Sequence, residues 1–205
     1  MKKYPVAEHF LSVQGEGCHM GRRAYFVRMF GCNVKCPWCD SKTAWQGNPA
    51  GEMSAGKILE SAETSRAEIV VITGGEPCIH DLAPLLKLLN SAGLKVHLET
   101  SGTLPIVESD SARFDWIALS PKIFHPPLVE TLLRADELKL IVSSPVELDA
   151  YSRIVSASRA SSIWLHPEWS RAEDKSLLKA LSDFVAKNGN PFRLGWQLHK
   201  NFFVR

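Results

Sequence analysis

Residues 25–41 read Tyr25-Phe-Val-Arg-Met-Phe-Gly-Cys32-Asn-Val-Lys-Cys36-Pro-Trp38-Cys39-Asp40-Ser41, an apolar run that empties into three cysteines spaced Cys-x3-Cys-x2-Cys. The run has the aromatic and β-branched content of a buried strand, and the cysteines leave its C-terminal end. A loop this tight turns three thiolates toward one point, and soft sulfur ligands select zinc or an iron–sulfur cluster. The missing fourth ligand is informative. A closed structural zinc site takes four protein ligands and a cubane has four irons, so three cysteines leave one metal position open to a further molecule. An open position is the mark of a reactive site.

The same strand-then-turn arrangement recurs along the chain. Segments 25–29, 69–73, 95–99, 116–120, 138–142, 162–166 and 193–198 read as strands. Between most of them lie amphipathic stretches. One has Leu82, Leu85, Leu86 and Leu89 on a single face, with Asp81 placed to cap its start and Gly93 to end it; another runs from Arg171 to Asn188 and is closed by Gly189. Strand and helix in alternation imply a parallel sheet, because parallel neighbours need a crossover connection. The unusual residues gather after the strands: the cysteine loop, Gly74-Gly75-Glu76-Pro77, Glu99-Thr100-Ser101-Gly102, Ser120-Pro121-Lys122, Ser143-Ser144, His166-Pro167-Glu168 and His199-Lys200. All leave C-terminal strand ends, the face where parallel sheets and barrels bind ligands. With fewer than eight βα units, the expectation is an α/β fold in the form of an incomplete β/α barrel, one domain over residues 1–205 with no linker or internal repeat.

Composition narrows the partners. Lys and Arg number 24 against 22 Asp and Glu, with no long block of one sign, so there is no electrostatic reason to expect nucleic acid or an anionic membrane. The N-terminal segment has no apolar core of a signal peptide, and no stretch approaches the length of a membrane span. Five cysteines, three of them clustered, fit metal ligation in a reducing compartment, so a cytoplasmic location and a small-molecule substrate are expected. Cys18 and Cys78 read as small buried hydrophobes, and His9, His80, His97 and His125 as ordinary histidines. The tryptophans other than Trp38 read as core or dimer contacts.

The cysteine spacing, with Trp38 before the last cysteine, resembles the signature of radical S-adenosylmethionine (SAM) enzymes, and Gly74-Gly75-Glu76-Pro77 is similar to their glycine-rich segment. Nearly end to end, the chain resembles the 7-carboxy-7-deazaguanine synthase family within that superfamily. The matching segments are 12–17, 26–28, 39–41, 73–77, 98–103, 120–122 and 197–200. The resemblance implies a [4Fe-4S] cluster on Cys32, Cys36 and Cys39, SAM, Mg²⁺ on Ser41, and a pterin substrate. The reaction it implies converts 6-carboxy-5,6,7,8-tetrahydropterin to 7-carboxy-7-deazaguanine with loss of ammonia. It further implies an electron donor such as flavodoxin or ferredoxin, and a homodimer. By position, Val13, Gln14, Gly15, Arg28 and Thr73 match substrate contacts, as does the terminal carboxylate of Arg205. Trp38, Asp40, Gly75, Ser120, Pro121, Lys122 and His166 match SAM contacts, and Glu99 or His199 is the candidate proton carrier. Ser41 stands where the family often has threonine, and His166 where glutamine is usual. Two other readings compete: a glycyl-radical-enzyme activating protein, which shares the cysteine spacing, and a zinc module closed by His19 or Asp40.

Overall fold

The computed structural model describes residues 2–204, which build one nine-stranded sheet. In chain order the elements are β1 (Lys3–Val13), β2 (Arg23–Met29), β3 (Gly51–Ser54), α1 (Ala55–Ser65), β4 (Ile69–Gly74), α2 (Ala83–Ser91), β5 (Val96–Thr100) and β6 (Trp116–Leu119), followed by α3 (Val129–Arg134), β7 (Glu137–Val142), α4 (Glu147–Ala157), β8 (Ser162–Pro167), α5 (Lys175–Asn188), β9 (Phe192–Leu194) and α6 (Leu198–Asn201). The strand order is β3-β1-β2-β4-β5-β6-β7-β8-β9, so β3 and β9 are edges and the sheet curls without closing. From β2 to β9 every neighbour is parallel. This is the partial barrel expected.

Side-chain alternation sorts the two faces. Val27, Met29, Val70, Ile72, Val96 and Leu98 turn outward into one core with Ile58 of α1 and Leu85, Leu86 and Leu89 of α2. Leu138, Leu140, Val142, Ile163 and Leu165 form a second core with Leu132, Tyr151, Leu177 and Leu181 of the later helices. The concave face is apolar only at one side, where Ala24, Phe26, Ile69 and Val71 meet Phe10. Farther round, the concave positions of β5, β7 and β8 are Glu99, Lys139 and His166, so the barrel interior there is charged and polar.

Three local expectations are corrected. The N-terminal stretch, unassigned in the sequence, is the long strand β1, antiparallel to both β2 and β3; a register shift between Val6 and Glu8 breaks the alternation that would have announced it. The last strand stops at Leu194 rather than 198, because Gly195 passes the His166 ring and Leu198 N donates instead to Gly15 O at 3.0 Å, opening α6. The last long helix starts at Lys175 rather than Arg171. A separate 3-10 turn holds Trp169–Arg171, and Asp174 accepts from the backbone N–H groups of Ser176 and Leu177. At α2, Asp81 does reach Ala83 N at 3.3 Å, and Gly93 takes a positive φ after the helix end. Among the described residues no helix is long and apolar enough to cross a membrane.

Candidate active site

The loop after β2 carries the three cysteines at the C-terminal mouth of the barrel, all free and half-exposed. Its shape is set by backbone bonds: Gly31 N donates to Ala44 O at 2.7 Å, and Cys39 N to Cys36 O at 3.1 Å. Lys35 adopts a left-handed φ of 53°, which turns the chain between the first two cysteines. The sulfurs already collect donors suited to thiolates: the backbone N–H groups of Val34 and Lys35 reach Cys32 Sγ, and Trp45 Nε1 reaches Cys39 Sγ, each at 3.4 Å. Burial pushes the Cys36 thiol up, an effect the nearby Lys122 ammonium partly offsets. Bound metal charge reverses that by deprotonating a coordinating thiol outright. Among the described residues no three His, Cys, Asp or Glu side chains surround one ion-sized point. His19, one candidate to complete a zinc site, packs instead edge-on to Trp116 at the far end of the barrel, 4.7 Å between centroids.

The next turn lies directly beneath. A Cβ on Gly75 would come within 2.3 Å of Gly31 O and 2.7 Å of Cys32 Cβ, so only glycine lets the turn after β4 press on the cysteine loop. Glu76, fully buried, braces this contact. Its carboxylate accepts from Cys78 N, Thr100 Oγ1, Ser101 N and Ser101 Oγ, which ties the turn after β4 to that after β5.

Deeper in the barrel, a polar network joins four elements. Lys139 Nζ on β7 bonds Glu16 Oε2 at 3.0 Å and Glu99 Oε1 at 3.1 Å. Gln14 Nε2 and Thr73 Oγ1 also donate to Glu99, at 3.1 and 3.0 Å. Gln197 Nε2 bridges Glu16 Oε1 at 2.8 Å to Asp40 Oδ2 at 3.2 Å, and Lys200 Nζ adds a 3.0 Å bond to Asp40. Burial is the largest single influence and favours the protonated forms, but the Lys139 ammonium together with the hydrogen bonds from Gln197 to Glu16 and from Gln14 to Glu99 holds both below the usual carboxylate range. Burial likewise disfavours the Lys139 charge, and Glu16 and Glu99 more than restore it. His166 is pushed down to about 4 by burial, against the pull of Glu16, and neither ring nitrogen has a hydrogen-bond partner among the described residues. Burial also lowers His199, which stays close to Gly15: a Cβ there would sit 2.1 Å from His199 Nδ1.

These groups face one cavity of about 430 Å³, within the range of small-molecule sites. Its lining includes Val13, Gln14, Gly15, Arg28, Cys32, Cys36, Trp38, Cys39, Asp40, Ser41, Thr73, Gly75, Glu99, Ser120, Lys122 and His199, so most of the sequence-derived candidates converge. Pro121 and His166 are not among the lining residues, and Arg205 lies outside the described residues. Arg28 arrives with Nε held by Glu8 Oε1 at 2.8 Å, and Lys122 Nζ is folded back onto Ser120 Oγ at 2.8 Å. Ser41 Oγ sits 3.1 Å from Asp40 Oδ1. Sequence reasoning missed Lys139 as part of the site, and gave Glu16, Gln197 and Lys200 no individual role although it singled out the segments that carry them. Trp45 and Trp169, read as core or dimer contacts, line the cavity, and Cys18, read as buried, is exposed with Sγ 3.0 Å from Ser162 Oγ.

A partial barrel with this cysteine loop at its mouth has the architecture of a radical SAM protein, and the family model described as Radical SAM superfamily matches residues 26–142. The 7-carboxy-7-deazaguanine synthase of Synechocystis sp. is 39% identical over 203 residues, covering 98% of this chain and 94% of that protein. The 7-carboxy-7-deazaguanine synthase of Flavobacterium psychrophilum is 36% identical over 197 residues, covering 96% and 90%. The crystal structure of QueE from Escherichia coli superposes with a TM-score of 0.79 at 32% identity, across 96% of this chain and 95% of that one. The chain belongs to the 7-carboxy-7-deazaguanine synthase family of the radical SAM superfamily. With the superfamily come a [4Fe-4S] cluster and SAM, and the three cysteines with their N–H donors fit such a cluster.

Proposed function

We propose that this chain converts 6-carboxy-5,6,7,8-tetrahydropterin to 7-carboxy-7-deazaguanine with loss of ammonia, in the route to queuosine and other deazapurines. The observation that carries the reading is the meeting of the cysteine loop with Arg28, Thr73, Glu99 and His199 around one cavity, in a chain 39% identical to a named synthase. Cys32, Cys36 and Cys39 hold the cluster, and Trp38, Asp40, Gly75, Ser120, Pro121, Lys122 and His166 serve the SAM side. When bound, cluster and SAM supply one-electron cleavage of a sulfonium and a carbon-centred radical. Val13, Gln14, Gly15, Arg28 and Thr73 serve the pterin side.

The chain's own task is positioning and exclusion of water, since a substrate radical must rearrange before anything quenches it. Arg28 offers a guanidinium fork matched to a planar carboxylate, oriented by its bond to Glu8. Ser41 and Asp40 present adjacent hard oxygens, the donor type Mg²⁺ prefers. Mg²⁺ there would orient the substrate carboxylate and offset developing charge. His199, held neutral by burial, is able to accept a proton at the mouth, and Glu99, held ionised, is able to accept one at the floor. The reading includes a flavodoxin- or ferredoxin-type electron donor, a homodimer, a cytoplasmic location and a single domain over residues 1–205.

The test is an anaerobic assay with dithionite, SAM, Mg²⁺ and carboxytetrahydropterin, followed by the ultraviolet spectrum of the product. Formation of the deazaguanine is the expected result. SAM cleavage without any deazaguanine would overturn the assignment and favour an activating protein.

A further inference from the structure

Lys139 belongs to none of the motifs that announce the site, yet it is a buried charge inside the barrel. Its side chain is 8% exposed and those of Glu16 and Glu99 14% and 21%, and all three border the cavity. It reaches Glu99 from two strands away, passing over Ala118, the small concave residue paired with Glu99 on β6. A buried ammonium survives only when paired, and here both partners are supplied by distant parts of the chain.

The hydrogen bonds of Glu99 are then specific. Among the described residues three donors reach it: Lys139 Nζ and Gln14 Nε2 on Oε1, and Thr73 Oγ1 on Oε2. A carboxylate oxygen accepts about two hydrogen bonds. Oε1 is therefore filled by protein, whereas Oε2 keeps one acceptor position on a group that lines the cavity. A tetrahydropterin carries ring N–H and amine donors.

We propose that Lys139 is a positioning residue that anchors Glu99 through Oε1, so that Oε2 accepts a hydrogen bond from an N–H donor of the heterocyclic substrate. The proposal rests on the substrate reading above and deepens it by naming what recognises the ring. The electrostatics agree, since the ammonium keeps Glu99 an acceptor rather than a donor. The other titratable groups facing this pair are Glu16 after β1, His97 on β5, Glu137 on β7, Lys122, His166 on β8 and His199 on α6.

Lys139→Met alone strands two buried carboxylates, so the informative variant is Lys139→Met combined with Glu16→Gln, which leaves the net charge of the three groups unchanged. With cluster iron and sulfide at the parental level, calorimetry on the unreduced holoenzyme reads the affinity for 6-carboxytetrahydropterin. We expect affinity to weaken about tenfold. We also expect a higher ratio of 5′-deoxyadenosine released to product formed, and an acid limb of kcat/KM displaced to higher pH. The displacement follows because Lys139 lowers Glu99 more than Glu16 raises it. Parental affinity with an unmoved acid limb overturns the proposal. If the double variant does not fold, Glu99→Gln carries the test: the acid limb disappears, and a limb that persists overturns the proposal. A parent chain that neither binds nor converts this pterin overturns the substrate reading and the proposal together. Where the parent does both, parental behaviour of the variant counts against the role of Lys139 alone.

Discussion

The cysteine loop and the charged floor face the same cavity but are held in opposite ways. In the loop, Cys32 Sγ is served by backbone N–H groups two and three residues on, Cys39 Sγ by an indole six residues on, and every cysteine keeps contact with solvent. In the floor, Lys139 bonds partners 123 and 40 residues away and is shielded from water. Local bonding at the sulfurs makes the thiols separable from the fold, although Asp40 in the same loop is tied to Gln197 and Lys200. Convergent bonding makes the floor part of the fold, so chemistry and stability should part company at one site and travel together at the other.

Replacing any of Cys32, Cys36 or Cys39 with alanine gives the largest effect, complete loss of cluster iron and of 5′-deoxyadenosine release, while the far-ultraviolet circular dichroism of the chain stays unchanged. A simultaneous loss of secondary structure would break the contrast from the loop's side. Lys139→Met, by comparison, removes one partner of a buried ionic group and should cost about 3–5 kcal/mol in urea unfolding. A variant as stable as the parent would break it from the floor's side.

His166 sharpens the comparison through pH. Its folded-state value, about 4, lies below the ordinary histidine value of 6.5, so the unfolded chain takes up the proton first and stability falls as pH drops from 6.5 toward 4. The fall between pH 7 and pH 5 is about 2 kcal/mol for this group. His166→Gln should flatten that part of the stability profile, and an unaltered slope would remove His166 as its source. Arg28→Ala gives an effect of similar size, read in substrate use. One lost hydrogen bond to a charged group is worth about 1.5–3 kcal/mol, so substrate use should weaken about tenfold to a hundredfold with cluster content intact. Unchanged kcat/KM would take Arg28 out of the site.

The same contrast explains what could be read from sequence. Cysteine spacing and the paired glycines at 74 and 75 are legible because their geometry is local: three ligands in one loop, and a backbone approach that a Cβ would block. Arg28 and Thr73 are legible through the family resemblance, and they stand side by side on the paired strands β2 and β4. Lys139 was not. In Glu137-Leu-Lys-Leu-Ile-Val142 the charged and apolar residues alternate as they would on a sheet with one face in water, and only the curl of the sheet turns that face into an interior. Strand β1 was hidden by Pro5 and by the register shift after Val6. The α6 turn was hidden because what ends β9 is a ring packed against Gly195 and a bond to Gly15, neither of which is adjacent in sequence. Trp45 and Trp169 read as core because apolar bulk carries no sign of which cavity it borders.

The most direct test of the central claim is the anaerobic turnover assay on cluster-loaded protein, with iron, sulfide, 5′-deoxyadenosine and deazaguanine measured on the same sample. The account predicts iron and sulfide near four each per chain, as a [4Fe-4S] cluster requires, with deazaguanine formed from carboxytetrahydropterin. Protein that carries its cluster and cleaves SAM but returns the pterin unchanged would contradict it.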